Sequence, residues 1–157
     1  MQKLTPCLWF NFNADTAVEH YLSIFKSGKV LEVTHYGDAV PSLKGKVLTM
    51  RFVIEGQEFL ALNAGPQFPF TEAISIAVDC ADQAEVDRLW TRLSEGGSTG
   101  QCGWLKDKFG LSWQIVPRAM MDMLKSPDAT KAQRAMAAMM QMTKLDIAAL
   151  QAAFDGK

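Results

Sequence analysis

A four-residue signature occurs twice in this chain and limits what it can become. Ala-Asp-x-Ala follows the first predicted strand at Ala14–Ala17 and returns after the fifth at Ala81–Ala84. Around each copy the elements run in one order: strand, helix, strand, strand, strand. In the first half, the apolar run Leu4 to Phe12 reads as a strand. A helix from Ala14 to Phe25 follows, with Val18, Tyr21, Leu22 and Phe25 at helical spacing and Asn13 or Asp15 as its cap. Val30 to Tyr36, Lys46 to Glu55 and Gln57 to Asn63 are the remaining strands, the last two turning about Gly56. In the second half, Glu72 to Cys80 alternates as a strand with Ile74, Ile76 and Val78 on one face. Asp82-Gln83-Ala84-Glu85 fits a capping box opening a helix to Ser94. Short strands near Thr99–Gly103 and Trp104–Lys106 lead through Asp107–Gly110 to a last strand, Leu111 to Val116, closed by Pro117. Gly110 turns into that strand as Gly56 turns into its counterpart. The extra length of the first copy fits the loop Gly37 to Gly45. A repeated supersecondary unit predicts an α+β protein of two βαβββ modules, 1–63 and 72–117, with a helical extension over 118–157.

Composition narrows the partners. At 157 residues with 48% hydrophobic content, the chain can bury a core as a single globular domain. Its net charge of −1 comes from scattered, matched charges and leaves no basic face for nucleic acid. No apolar run is long enough for a membrane span, and Met1–Pro6 lacks the apolar core of a signal peptide. Cys7, Cys80 and Cys102 have no CxxC spacing and read as reduced thiols of a cytoplasmic protein.

Several longer motifs carry a family resemblance. They are Thr5–Phe10, His20–Phe25, Leu62–Pro66, Phe70–Ser75, Asp82–Trp90 and, above all, Gln101–Pro117. Together they resemble the PhnB-like proteins of the vicinal oxygen chelate superfamily, which includes glyoxalase I, bleomycin-resistance proteins and extradiol dioxygenases. The resemblance implies curled sheets enclosing a cavity, commonly within a homodimer. It also implies metal-ligand positions on the first and last strand of each module, here Cys7 and Leu60, then Ala73 and Gln114. A divalent metal wants several His or carboxylate donors, and these positions supply almost none. No metal and no other cofactor is therefore expected. Many relatives carry the label 3-demethylubiquinone-9 3-methyltransferase. The only glycine-rich stretch, Gly96–Gly100, follows a helix instead of opening one, so it offers no binding turn for a methyl donor.

What remains is a cavity with a few polar groups. Asn63 can bond a ligand or form an Asx-turn. Glu72 can act as a general base if buried, or pair with a nearby cation. Ser75 lies off the apolar face of its strand, with Ala73. Gln114 and Ser112 share a face opposite Trp113 and Ile115, and a Gln in an apolar strand needs a partner. Trp104 can stack on a planar ligand, whereas Trp9, Trp90 and Trp113 read as core. Cys7 is the candidate reactive thiol, Asp107 a turn former, and neither His20 nor His35 has triad partners. Met120, Met121, Met123, Met136, Met139, Met140 and Met142 crowd the C-terminal helices, either as packing or as an adaptable surface.

These readings predict a small-molecule-binding protein, or an enzyme of unknown substrate, without a metal. Its ligand would contact Cys7, Asn63, Glu72, Ser75, Trp104 and Gln114. The competing expectations are a metal-dependent lyase, isomerase or dioxygenase, a methyltransferase by family label, and an interaction module acting through the Met-rich helices.

Overall fold

The computed structural model describes residues 2–157, which form two compact units, one ending at Phe70 and one beginning at Thr71. The expected duplication is present in the sheet order. Unit one contains β1 (Cys7–Phe10), α1 (Ala14–Ile24), β2 (Gly28–His35), β3 (Val47–Ile54) and β4 (Gln57–Asn63). Its strands lie in the order β1-β4-β3-β2. Unit two contains β5 (Ser75–Cys80), α2 (Gln83–Ser94), β6 (Ser98–Thr99), β7 (Trp104–Lys106) and β8 (Ser112–Pro117), ordered β5-β8-β7-β6. In each module the first strand runs parallel to the last and the rest are antiparallel. The extension adds α3 (Arg118–Leu124), α4 (Ala129–Met139) and α5 (Ile147–Asp155) to unit two.

Alternation sorts each sheet into a helix-covered face and an open one. In unit one, Leu8, Phe10, Met50, Phe52, Ile54, Phe59 and Ala61 are buried with Ala17, Val18, Tyr21 and Ile24 of α1. In unit two, Cys80, Leu105, Trp113 and Ile115 are buried with Val86, Leu89 and Leu93 of α2. The extension builds its own cluster from Met120, Met123, Ala135, Leu145 and Leu150, with Met139 and Met142 packed against it. Four of the seven C-terminal methionines thus face inward, while Met121, Met136 and Met140 are exposed. Among the described residues no helix is long and apolar enough to cross a membrane.

Helix starts show where local signals sufficed. Asp82 accepts from the Glu85 amide at 2.8 Å, and Glu85 reaches back to the Ala81 amide at 2.9 Å. This is the expected capping box, shifted by one residue on its return arm. Asp128 and Asp146 cap α4 and α5 in the same way. At α1 neither Asn13 nor Asp15 supplies the cap. The acceptor for the Ala14 amide is Asn63 Oδ1, at 2.9 Å, from the far end of β4. A buried strand-end amide replaces the local side chain because it lies directly under the first helical turn.

The strand expected from Glu72 begins three residues later, at Ser75. Thr71 Oγ1 accepts from the Ala73 amide at 3.3 Å, and the Thr71 carbonyl accepts from Ile74. That turn keeps Glu72–Ile74 out of the ladder and leaves Ile74 55% exposed, so the inner face is Ile76, Val78 and Cys80.

Candidate functional site

Cross-strand register brings the unit-two candidates onto one surface. Ser75 pairs with Ser112 and Ala77 with Gln114; on the other side of β8, Lys106 pairs with Ser112 and Trp104 with Gln114. Directly paired residues share a face, with Cβ atoms about 5 Å apart. Two rows, Ser75–Ser112–Lys106 and Ala77–Gln114–Trp104, therefore cross the open side of the sheet. Gln114 Nε2 donates to Ser75 Oγ at 2.8 Å, giving the strand-buried amide its partner. Glu72, outside the strand, places Oε1 2.5 Å from Lys106 Nζ. The pair is half open to solvent, and the hydrogen bond from Lys106 holds the Glu72 carboxyl below its ordinary range. Glu72 is thus an ionised partner at neutral pH, and the burial a general base would need is absent.

Two depressions open on this surface. One, of about 180 Å³, is lined by Glu72, Ser98, Thr99, Gly100, Trp104, Leu105, Lys106 and Ser112. The other, of about 490 Å³, is lined by Ala77, Val78, Asp79, Gln114, Val116, Arg118, Met121, Asp122 and Lys125, with α3 as one wall. Arg118 donates to Asp79 Oδ2 from both Nε and Nη2, at 3.0 and 2.7 Å, and this contact raises the arginine's pKa further.

The unit-one candidates are placed differently. Cys7 pairs with Leu60 on the open face of its own sheet and is exposed, and partial desolvation raises its thiol pKa. That shift lowers its thiolate fraction at neutral pH. Trp9, expected in the core, lies on that open face, donating to the Gly65 carbonyl at 2.8 Å and meeting Phe68 edge-on. Asn63 is only 4% exposed and faces the helix. Besides capping Ala14 it donates to the Val47 carbonyl at 3.1 Å, so both ends of its side chain are engaged within the unit. Asn63 thus serves the architecture of unit one, tying the start of α1 to the ends of β3 and β4. Arg51 lies on the open face between Glu32 and Glu58, at 3.1 and 3.3 Å.

The register also corrects the superfamily ligand positions. Cys7–Leu60 is a true cross-strand pair, but Gln114 pairs with Ala77, and Ala73 lies outside the strand. Cys7, Leu60, Ala77 and Gln114 do not form a donor set for a divalent metal. Among the described residues no group of three His, Cys, Asp or Glu side chains could hold one. Gly96 and Gly97 follow the C-terminal end of α2, where the helix dipole repels an anion. Lys106, Arg118 and Asp79 escaped the sequence reading. Lys106 sits in a three-residue strand too short for alternation to stand out, and Arg118 looks like an ordinary helix start.

Comparison with known proteins agrees with this geometry. The family model described as 3-demethylubiquinone-9 3-methyltransferase matches residues 2–116. A PhnB protein from Bacillus cereus is 30% identical with a TM-score of 0.68, covering 74% of this chain and 99% of its own. A protein from Pseudomonas aeruginosa is 26% identical at a TM-score of 0.62, over 74% and 98%. The fosfomycin resistance protein FosX from Listeria monocytogenes, 17% identical at 0.53 over 80% and 98%, shares the fold alone. No curated protein matches the chain. Two βαβββ modules of identical strand order, with the family's sequence pattern running through both, make this chain a PhnB-like member of the 3-demethylubiquinone-9 3-methyltransferase family, built on the glyoxalase–bleomycin resistance–dioxygenase fold.

Proposed function

We propose that the chain binds a small organic molecule on the open face of its second module, without a metal. The observation that carries this reading is the groove of about 490 Å³ beside α3. It combines the apolar floor of Ala77 and Val116, the exposed thioether of Met121, and three orienting groups: Gln114, Arg118 and Asp79. Concave apolar surface with a few fixed polar groups is the ordinary make-up of a small-molecule site. Gln114 is the specificity residue in this scheme, because its amide oxygen is still open to a donor while its nitrogen is held by Ser75.

Amide-resolved NMR with a panel of neutral and charged fragments tests the site. Shifts clustering on Gln114, Val116, Arg118 and Met121, and lost in Gln114→Leu, are the expected result. A fragment response confined to other surfaces would overturn it, as would a stoichiometric metal found by elemental analysis.

We also propose that two copies associate through β2. All eight of its residues are exposed, and Val30, Leu31 and Val33 each show 38–40% of their surface. Val30 and Val33 pair with the buried Phe52 and Met50, so they lie on the helix-covered side of the sheet, yet α1 packs over β3 and β4 and leaves them bare. An uncovered apolar edge strand invites a partner. Sedimentation velocity should show a dimer at micromolar concentration and a monomer for Val30→Asp/Val33→Asp; a monomeric parent protein would end the idea.

A further inference from the structure

The smaller depression contains a polar atom that the fold leaves unused. Ser112 is 1% exposed, and its Oγ has no hydrogen-bond partner among the described residues. Buried hydroxyls are nearly always bonded, so an orphan one marks a place where something else is expected to sit. Its cross-strand neighbour Lys106 brings a cation to the same pocket, and Trp104 lines it as well. Among the described residues the only anion lining it is Glu72, which belongs to the turn before β5 and is itself 63% exposed. An ion pair so open to water adds little stability and is readily exchanged.

We propose that this pocket is a carboxylate-binding site for a small planar acid, held closed in the free protein by Glu72 acting as an internal stand-in ligand. The Glu72–Lys106 contact shows that the site accepts a carboxylate. An incoming acid displaces it, takes the charged hydrogen bond from Lys106, and accepts a second bond from the Ser112 hydroxyl, which Glu72 leaves unpartnered. The ring of the acid lies against Trp104. A pocket of about 180 Å³ is far larger than one water requires, so it has space for such a ring. This inference shares with the groove reading the premise that the open face of module two receives a small molecule, but it uses other residues and names the ligand chemistry.

The test is titration of the full chain with benzoate and with its neutral counterpart benzamide, followed by calorimetry and amide-resolved NMR. Benzoate should shift Lys106, Ser112 and Trp104, and benzamide should bind about tenfold more weakly for want of the charged hydrogen bond. Removing the stand-in with Glu72→Gln should tighten benzoate about threefold and leave benzamide unchanged. Ser112→Ala should weaken benzoate about threefold to tenfold without lowering Tm, since no internal bond is lost. Equal binding of the two probes, or no gain in Glu72→Gln, overturns the proposal. So does a fall in Tm with unchanged benzoate binding in Ser112→Ala, which would mean that the hydroxyl serves only the fold. Benzoate shifts restricted to Gln114, Val116 and Arg118 would sink this site and leave the groove standing. Shifts at Lys106 and Ser112, with no fragment response at Gln114, would do the reverse.

Discussion

Replacing Asp107 by alanine is expected to cost about 3–5 kcal/mol of stability, a large share of what a domain of this size possesses. The carboxylate is 2% exposed and accepts three hydrogen bonds: from the Phe109 amide at 2.8 Å, the Leu111 amide at 3.1 Å and Trp113 Nε1 at 2.9 Å. Leu111 and Trp113 are each 1% exposed, so neither donor can turn to water when its acceptor is removed. Asp107→Asn is the sharper variant. It keeps an acceptor for the two amides but turns an NH2 toward the indole N–H, and it should cost about 1–3 kcal/mol. In a Trp113→Phe background that penalty should shrink, because the opposing donor is gone. Urea unfolding of the four proteins gives the coupling directly. A cost below about 1 kcal/mol for Asp107→Ala would mean that the turn reorganises and that the three bonds are incidental.

Gly97→Ala is the second variant with a large expected effect, of about 2–3 kcal/mol or a Tm lower by about 10 °C. A Cβ at this position would stand 2.0 Å from the Lys106 carbonyl oxygen and 2.7 Å from the Asp107 carbonyl carbon. Those atoms are backbone, so no side-chain rotation relieves the contact; β6 must move away from β7. The movement would strike the turn that Asp107 organises and the strand that carries Lys106. Differential scanning calorimetry checks the magnitude, and the amide shifts of Lys106 and Asp107 check the location. An unshifted melting curve would show that β6 peels away freely and contributes nothing to the sheet.

The duplication was readable because Ala14–Ala17 and Ala81–Ala84 both mark the passage from the first strand of a module into its helix, although Ala14 and Ala17 are buried and Ala81 and Ala84 are exposed. Asp82, Asp128 and Pro117 were readable for a related reason: caps and breakers act over a few residues of chain. Asp107 was also legible as a turn former, although not its bond to Trp113. What the sequence hid is long-range. Asn63 caps a helix whose first residue lies forty-nine positions away, and nothing near either residue announces it. The Thr71 turn keeps Ala73 out of β5, and the pairing of Ala77 with Gln114 is set by strand-to-strand contacts that spacing along the chain does not reveal. Glu72 illustrates both sides. An ion pair was one of its two sequence readings, but its partner, Lys106, comes from a strand whose neighbours could not be inferred from spacing.

The extension gives the second module a support the first does not share. Cys102 holds a left-handed backbone, φ 57°, that a non-glycine residue rarely adopts. Its amide donates to the Met142 carbonyl at 2.8 Å, and the next amide, of Gly103, donates to Thr143 at 2.8 Å. Gln83 of α2 grips the same stretch, donating to the Leu145 carbonyl and accepting from the Ile147 amide. The strained loop between β6 and β7 is thus clamped by chain that lies beyond the repeat. Two modules with the same strand order thus have different contact neighbourhoods. The first rests on its own strands and helix, whereas the second is expected to open together with its tail in hydrogen exchange, because its β6–β7 loop and α2 are bonded to it.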